Sequence, residues 1–205
     1  MDSLRRLEEI FSRFPGIGPR QARRFVYYLM NKSPASIKEF SELVMEMKNS
    51  TSECGKCHRF FIGRSSGPCA ICSDSTRDQS MLMIVARDSD FETIEKSSAY
   101  KGLYFILGGT VPILDNDPEK RIRLKGLLER ISMNDDQYPL IKEIILSMNT
   151  TPDGEHTGTI VKEAIQKISK NPSVKITVLG KGLSTGAELE YVDGETIKNA
   201  LKNRE

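Results

Sequence analysis

The sequence lacks any long hydrophobic run. No stretch approaches the roughly 18 uncharged apolar residues that a membrane-spanning helix needs. The first six residues carry charges where a secretory signal would place an apolar segment. We therefore expect neither membrane insertion nor secretion, and we predict a cytoplasmic protein.

Internal repeats and low-complexity tracts are also missing, which argues against a solenoid or an array of flexible linkers. With 38% hydrophobic and 28% charged residues, the composition is that of a globular protein, and 205 residues can bury a core without a disulfide scaffold. The few cysteines are thus expected to be reduced, and closely spaced pairs of reduced cysteines more often hold a metal ion than form disulfides.

Charge of one sign is not in excess over the whole chain, because 30 basic residues face 28 acidic ones. The distribution is nevertheless uneven. Residues 1–72 contain twelve Lys and Arg against seven Asp and Glu, whereas the remainder has 18 against 21. A basic first part and a mildly acidic second part predict that the first part meets a polyanion and that the second has another role.

Two amphipathic helices are predicted near the N-terminus. Their apolar residues recur at helical spacing, as Leu4, Leu7, Ile10 and Phe11 in the first helix and as Ala22, Phe25, Val26 and Leu29 in the second. Between them, residues 14–19 read Phe-Pro-Gly-Ile-Gly-Pro, in which the glycines permit a tight turn and Pro19 can occupy the first helical position. The free backbone N–H groups at the start of the second helix can bind an anion.

Arginines lie opposite the apolar side of the second helix, so one of its faces is cationic and exposed. A glycine turn with a solvated arginine face would explain these residues without any ligand. The complete string Phe-Pro-Gly-Ile-Gly-Pro-x-x-Ala, followed by an apolar helix, resembles the helix-hairpin-helix motif, whose hairpin amides hold a DNA phosphate without reading bases. The DNA-binding candidates are Gly16, Ile17, Gly18, Pro19, Arg20, Arg23 and Arg24.

All four cysteines occur in Cys-x-x-Cys pairs, Cys54 with Cys57 and Cys69 with Cys72. Two such pairs can surround one zinc ion with four thiolates. Four thiolate ligands leave no coordination position for water, so the zinc would be structural and would support a small module without a core of its own. A redox pair, two disulfides and an iron–sulfur cluster are the alternatives. His58 is expected to take no part in coordination.

From residue 81 onward, apolar strands alternate with helices. Strands are predicted over 81–86, 103–107, 144–146 and 176–179, and helices over 90–98, 119–131, 154–170 and 195–202. Continuous apolar strands separated by helices predict a parallel sheet covered by helices, that is, an α/β fold. Ligands of such sheets bind beyond the carboxyl ends of the strands.

Carboxylates follow two of these strands, Asp88 and Asp90 after the first and Asp153 and Glu155 after the third. Converging carboxylates can hold Mg²⁺. The spacing resembles the Toprim fold of topoisomerases, primases and some nucleases, in which a glutamate ending the first strand pairs with a later Asp-x-Asp. Ala86 stands where that glutamate would align, which argues against catalysis. Helix capping, a partner-binding patch and a vestigial metal site remain open for Asp153 and Glu155.

Nearly the whole chain resembles the RecR family of bacterial recombinational repair proteins. The likeness keeps the order of helix-hairpin-helix, four-Cys zinc module, Toprim-like domain and C-terminal segment, for which we predict the boundaries 1–50, 51–78, 79–178 and 179–205. The strings that carry it are residues 14–19, Cys-Ala-Ile-Cys at 69–72, Tyr-Phe-Ile-Leu-Gly-Gly at 104–109, Asp-Gly-Glu at 153–155 and Gly-Leu-Ser-Thr-Gly-Ala-Glu-Leu-Glu-Tyr at 182–191.

Three stretches depart from the family pattern. Residues 85–88 read Val-Ala-Arg-Asp where Val-Glu-x-Pro is usual. Residues 149–157 read Asn-Thr-Thr-Pro-Asp-Gly-Glu-His-Thr instead of Asn-Pro-Thr-x-Glu-Gly-Glu-x-Thr, and Ser184 stands where Pro is common. These changes lie on the face that the family uses for partners, so they bear on partner affinity more than on the fold.

The resemblance implies a protein without enzymatic activity, located with the nucleoid. RecR proteins assemble as rings, often tetramers, that can encircle DNA, and they act with RecO and sometimes RecF to load recombinase onto single strands. We accordingly predict a homo-oligomer, from dimer to tetramer, that grips the DNA backbone through the hairpin and meets RecO through Asp153 and Glu155. The alternatives are a Mg²⁺-dependent Toprim nuclease, topoisomerase or primase, and a zinc-dependent adapter without DNA contact.

Overall fold

The computed structural model describes residues 2–63, 67–115, 117–132, 140–168 and 174–203. Contacts divide the chain into two compact units, one formed mainly by the residues up to Thr51 and the other by Ser52–Phe61 with the rest of the chain. The helices are α1 (Ser3–Ser12), α2 (Pro19–Met30), α3 (Pro34–Ser50), α4 (Ala70–Ser73), α5 (Asp88–Lys96), α6 (Leu124–Ser132), α7 (Pro152–Ile168) and α8 (Gly194–Lys202). The strands are β1 (Thr51–Glu53), β2 (Phe60–Ile62), β3 (Asp78–Val85), β4 (Gly102–Ile106), β5 (Glu143–Ser147) and β6 (Lys175–Val178).

The first unit begins with the helical pair that the apolar spacing predicts. α1 starts after Asp2, whose carboxylate accepts a hydrogen bond from the backbone N–H of Leu4 at 3.1 Å. α2 starts at Pro19, where a proline costs no helical hydrogen bond. Phe11 of α1 packs edge to face on Phe25 of α2, with ring centroids 5.7 Å apart. The two helices therefore pack together through Phe11 and Phe25, which confirms the predicted pair, while Leu4, Leu7 and Ile10 of the predicted apolar side stay exposed.

A third helix, α3, follows and was not among the predicted elements. The Ser33 hydroxyl caps it by accepting a hydrogen bond from the backbone N–H of Ser36 at 3.2 Å. None of the residues of α3 is buried, although apolar residues recur along one of its sides. Those residues are Ile37, Phe40, Val44 and Met47. The first unit thus presents an apolar helix face that its own described residues do not cover.

The second unit contains a four-stranded sheet in the order β4-β3-β5-β6. All three strand pairs are parallel, which confirms the predicted parallel sheet with intervening helices. Val85 at the end of β3 pairs with Ile106 of β4 and with Ser147 of β5. Because these strand ends are aligned, the loops that follow them meet at one edge of the sheet.

Helices cover both faces of the sheet. Successive strand residues point to opposite faces, so β3 sends Leu82 and Ile84 to one core and Met83 and Val85 to the other. α6 and α7 pack on the first face, and α5 packs on the second. The buried helical residues that meet the sheet are Leu127, Val161 and Ile165 on the first face and Phe91 on the second. No described helix has the length and apolarity to span a membrane.

The predicted helix over 119–131 is interrupted. A short 3-10 turn covers Pro118–Lys120, and α6 begins only at Leu124. Between them, the backbone N–H of Arg123 donates a hydrogen bond of 2.8 Å to the carbonyl of Leu107, just beyond β4. Because that amide donates to the sheet, it cannot donate to the carbonyl four residues earlier, as a continuous helix would require. The last two residues of the predicted helix over 154–170 lie outside the described residues.

An ion pair between Arg77 and Glu95 holds α5 against the segment before β3. The carboxylate of Glu95 accepts hydrogen bonds from the Arg77 guanidinium and, at 2.9 Å, from the Tyr104 hydroxyl. Partial burial opposes ionisation of Glu95, but the hydrogen bonds from Arg77 and Tyr104 keep the pKa of its carboxyl below the ordinary 4.5. The folded state therefore gains stability from this carboxylate above pH 4.5, and the gain disappears as the pH falls through the lower folded pKa.

We expect Glu95→Gln to lower the free energy of unfolding by about 1–3 kcal/mol near neutral pH, because it leaves the largely buried Arg77 with only the more distant carboxylate of Asp74 at 3.6 Å. The difference from the unmodified protein should shrink as the pH falls below 4.5. Urea unfolding at a series of pH values measures both effects. Glu92→Gln, which breaks an exposed pair with Lys96 on the same helix, should change stability by less than about 0.5 kcal/mol. A pH-independent difference would contradict the assignment.

Candidate functional site

The four cysteines lie together and are all buried. Their sulfur atoms are within 4.8 Å of one another, and the Sγ atoms of Cys57 and Cys69 are 3.6 Å apart. Four thiolates around a metal at about 2.3 Å would be separated by about 3.8 Å. The observed spacing fits that tetrahedron, and none of the four forms a disulfide. The cysteines are therefore positioned to bind one metal ion.

Backbone hydrogen bonds shape the two turns that carry these cysteines. The N–H of Cys54 donates to the carbonyl of Arg59, and the N–H of His58 donates to the carbonyl of Cys54, both at 2.9 Å. His58 has a φ of +61°, which reverses the chain directly after Cys57. Cys69 stands at the start of α4, and its N–H points at the sulfur of Cys54 from 3.3 Å.

The pKa values of neighbouring cysteines show why the cluster suits a cation. A hydrogen bond with Cys57 lowers the pKa of Cys54, and the same contact raises the pKa of Cys57, to which burial also contributes. A pair of thiols in contact thus favours one negative charge over two. A bound divalent cation would offset the repulsion and would let all four sulfurs ionise.

The cysteine module is attached to the sheet at the free edge of β4. The N–H of Ile106 donates a hydrogen bond of 2.9 Å to the carbonyl of Cys57. The Arg59 guanidinium lies over the ring of Phe91, 4.4 Å from its centroid. The N–H of Phe60 donates to the Asp88 carboxylate at 2.9 Å. The module therefore covers a strand edge that would otherwise expose unpaired backbone groups.

His58 lies beside the sulfur cluster but is not part of it. Its ring packs edge to face on Phe105, with centroids 5.1 Å apart. Its Nδ1 atom contacts the carboxylate of Glu53 at 2.7 Å, and the same carboxylate pairs with Arg123 at 3.3 Å. This chain of contacts links the module to the segment before α6. Sequence reasoning assigned His58 no role, since neither Glu53 nor Arg123 is close to it in a recognisable motif.

The hairpin between α1 and α2 is open at its glycines. Gly16 has a φ of +75°, which favours glycine over any residue with a Cβ atom. A Cβ atom on Gly16 or Gly18 would have no neighbour within 4 Å. A phosphate could therefore approach this backbone closely. Ile17 closes the turn with an N–H that donates to the carbonyl of Phe14 at 3.0 Å.

The predicted arginines all lie on the exposed part of α2, but they differ in their contacts. Arg23 pairs with Glu8 of α1 through its Nε atom at 3.1 Å. Arg24 lies near the amide oxygen of Gln21, at 3.4 Å. Arg20 has no ion-pair partner among the described residues. The structure thus brings Arg20 and Arg24 onto one exposed face and turns Arg23 toward α1.

The carboxylates at the strand ends are engaged separately. Asp88 accepts the N–H of Phe60, and Asp90 accepts the N–H of Arg87 at 3.0 Å. Ala86, which directly follows β3 and stands in place of the expected glutamate, is buried. Within the described ranges, the cysteines form the only group of three or more metal-ligating side chains close enough to share an ion. These carboxylates therefore serve as backbone acceptors in this fold.

Asp153 and Glu155 at the start of α7 have different surroundings. Asp153 accepts a hydrogen bond of 3.3 Å from the backbone N–H of Ile113, in the loop after β4. Glu155 pairs with Lys181 at 2.5 Å. Gly154 between them is required, since a Cβ atom there would lie 2.2 Å from the carbonyl oxygen of Asn149. Thus Asp153 holds a loop, whereas Glu155 lies at the surface with a basic neighbour.

The loop held by Asp153 presents an exposed leucine. Thr157, fully buried, accepts the N–H of Val111 at 2.9 Å, and the N–H of Asp115 closes a turn on the carbonyl of Pro112 at 2.9 Å. Leu114 in this turn is 93% exposed. Sequence reasoning missed Leu114, Thr157 and Lys181. Only Thr157 had a signal in the sequence. It lies one helical turn after Asp153, so the two side chains fall on the same face of the helix.

Comparisons with known proteins agree along the chain. A family described as the Toprim domain matches residues 80–180, and one described as the C-terminal part of RecR matches residues 182–205. The recombination protein RecR of Lactobacillus helveticus is 33% identical over 97% of this chain and 94% of its own length. The RecR protein of Lactococcus lactis subsp. lactis is 33% identical over 99% and 96%. That of Prochlorococcus marinus subsp. pastoris is 33% identical over 95% and 91%.

The sulfur cluster predicts one equivalent of bound metal and a fold that depends on it. We expect Cys72→Ser to lower the metal content below one ion per chain and to destabilise the protein by several kcal/mol, since a thiolate ligand is lost and the remaining thiols repel one another. Elemental analysis and urea unfolding measure the two effects.

Ser73→Ala is the matched control, because it removes a neighbouring hydroxyl that bonds only to helix carbonyls. It should keep the full metal content. Equal metal content in the Cys72→Ser variant would show that the four sulfurs do not share one ion.

Proposed function

The chain belongs to the RecR family of recombination proteins, and from this premise we propose that it is a DNA clamp and adapter that catalyses no reaction. In this proposal residues 1–50 bind the DNA backbone, 51–78 form a zinc module, 79–178 form the Toprim-like domain and 179–205 form a C-terminal segment. The observation that carries the proposal is the open glycine hairpin with a cationic, exposed face on the helix that follows it.

DNA binding rests on two properties of that hairpin. Gly16 and Gly18 leave the backbone accessible, and the N-terminus of α2 attracts a phosphate through its dipole and free amides. Arg20 and Arg24 then add charge on one side of the helix. Such contacts reach phosphates and not bases, so binding is expected to ignore sequence and to weaken steeply with salt.

Zinc is the metal that we assign to the cysteine cluster. Four thiolates in a tetrahedral arrangement are a preferred zinc set, and no ligand position remains for water. Cys54, Cys57, Cys69 and Cys72 would hold it, and its effect would be structural: it keeps the module folded against the free edge of β4. DNA binding would not depend on any chemistry at this metal.

The absence of catalysis is supported by the chemistry of the strand ends. Buried Ala86 offers no ligand, Asp88 and Asp90 accept backbone amides, and Asp153 holds the loop of Ile113. A nuclease, topoisomerase or primase of the Toprim kind would need carboxylates free to converge on Mg²⁺. These are committed to separate partners. The other alternative, an adapter without DNA contact, gives the exposed arginine face no role.

We assign the partner-binding role to the loops at the carboxyl edge of the sheet, where RecO would dock and where RecF would dock in organisms that use it. Glu155 offers a surface carboxylate, and Asp153 acts by positioning the turn that exposes Leu114. A basic partner with an apolar recess fits such a surface. Lys181 already contacts Glu155, so a basic residue of RecO would take its place.

Self-association is supported by α3. Its apolar side, with Phe40, Val44 and Met47, is exposed in the described chain, and a second copy of the protein could cover it. We propose a homo-oligomer, from dimer to tetramer, that closes around DNA in the nucleoid. The cytoplasmic location predicted from the sequence is part of the same proposal.

The double variant Arg20→Glu with Arg24→Glu should lower the affinity for DNA at least about tenfold and flatten the salt dependence by about two phosphate contacts. Fluorescence anisotropy of labelled DNA over a salt series, with Mg²⁺ present, measures both quantities. Lys96→Glu with Lys125→Glu makes the same charge change on exposed helices elsewhere and should leave binding nearly unchanged.

Unchanged binding in the double variant would remove this surface from the proposal. The DNA recovered after each titration should also be intact. Cut DNA would support the enzymatic alternative instead.

Glu155→Lys should weaken binding of purified RecO about tenfold or more, because it reverses the charge at the centre of the proposed contact. Isothermal titration calorimetry measures the change. Glu163→Lys, an exposed position two turns further along α7, is the matched control and should have little effect. Equal affinity of both variants and the unmodified protein would place RecO elsewhere.

A further inference from the structure

The exposed face of α2 holds an aromatic ring in line with its arginines. Arg20, Arg24 and Tyr27 are spaced four and three residues apart, which places them within about 60° of one another around the helix. They extend over about 10 Å of the helix axis, at a rise of about 1.5 Å per residue. A strand held by both arginines would therefore continue over the ring.

Tyr27 has none of the contacts that explain the buried tyrosines. In the part of the chain that the structure describes, its hydroxyl has no hydrogen-bond partner and its ring has no aromatic or cationic neighbour. Tyr104, by contrast, bonds to Glu95, and Tyr100 bonds to the carbonyl of Leu103 at 3.0 Å. Tyr28, next to Tyr27, is covered by the ammonium group of Lys32 at 4.3 Å. Tyr27 as a whole is 56% exposed, so its ring is accessible to a ligand.

The surroundings of Tyr27 are charged, which separates it from the apolar side of α3. Arg24 precedes it by one turn, and the Arg23 guanidinium pairs with Glu8 instead of covering the ring. A ring beside cations suits a ligand that carries both negative charge and flat aromatic groups. Unpaired nucleotides carry both. Bases of a duplex are already stacked on their neighbours and present only their edges.

We propose that Tyr27 stacks on an unpaired base, so that the cationic face of α2 distinguishes single-stranded from double-stranded nucleic acid. The inference rests on the DNA binding proposed above and adds the strand preference. The arginines attract any polyanion, whereas the ring adds affinity only for a base that is not already stacked within a duplex. Stacking tolerates every base, so the preference would be for strandedness and not for sequence.

The test compares three DNAs of equal length by anisotropy: an oligothymidylate, a mixed-sequence duplex and a single strand of abasic nucleotides. Tyr27→Leu removes the ring but keeps an apolar side chain, and Tyr27→Phe keeps the ring. Tyr191→Leu is the control, because Tyr191 is 80% exposed and lies in the other unit. All variants are made in the full chain, and sedimentation establishes that each retains the unmodified oligomeric state.

The unmodified protein should bind the oligothymidylate more tightly than the abasic strand. Tyr27→Leu should lose about tenfold in affinity for the oligothymidylate and almost nothing for the duplex or the abasic strand. Tyr27→Phe should restore the loss, and the salt dependence should not change, since no phosphate contact is removed.

Equal loss on all three DNAs, or a changed oligomeric state, would overturn the inference and make Tyr27 a structural or subunit-contact residue. No loss on any DNA would overturn it as well, while DNA binding itself would stand. Failure of the unmodified chain to bind any of the three DNAs would overturn the proposed function, and the stacking role with it.

Discussion

Four sulfur atoms confined within 4.8 Å of one another are the constraint on which the middle of this protein depends. The thiols cannot all ionise without a cation, and the described residues of the segment that carries them form only short strands and a four-residue helix. The Cys57 carbonyl of this segment nevertheless accepts a hydrogen bond from the N–H of Ile106 at the edge of β4. The Arg59 guanidinium lies over the ring of Phe91. Metal binding at these cysteines would thereby be coupled to the sheet, and loss of the ion would also uncover the β4 edge and one side of α5.

The carboxylates beside the strand ends of this Toprim domain are mostly engaged by neighbouring backbone amides. Three of these carboxylates have structural tasks. Asp88 fastens the cysteine module, Asp90 caps the first turn of α5, and Asp153 holds the loop that exposes Leu114. These three carboxylates are acceptors for backbone amides. The same edge of the sheet is where we propose that a protein partner docks.

The proposed functions are distributed over surfaces with different chemistry. The hairpin and α2 offer open glycines, arginines and the ring of Tyr27, which suits a nucleic acid strand. The exposed side of α3 is apolar and suits another copy of the chain. The carboxyl edge of the sheet combines Glu155 with Leu114 and suits a basic protein. An adapter needs such separate surfaces, because its ligands must be held at the same time.

The sequence by itself determined the elements whose signals are local. Periodicity located the helical pair and the parallel strands, and the two Cys-x-x-Cys pairs identified the metal cluster, because spacing along the chain decides these features. Only the tertiary structure decided which side chains meet. It broke the helix predicted over 119–131 through the bond from Arg123 to Leu107, turned Arg23 toward Glu8, and gave Asp153 and Glu155 different roles through Ile113 and Lys181. These partners are separated by 15 to 40 positions in the chain, and no local pattern specifies contacts between residues so far apart.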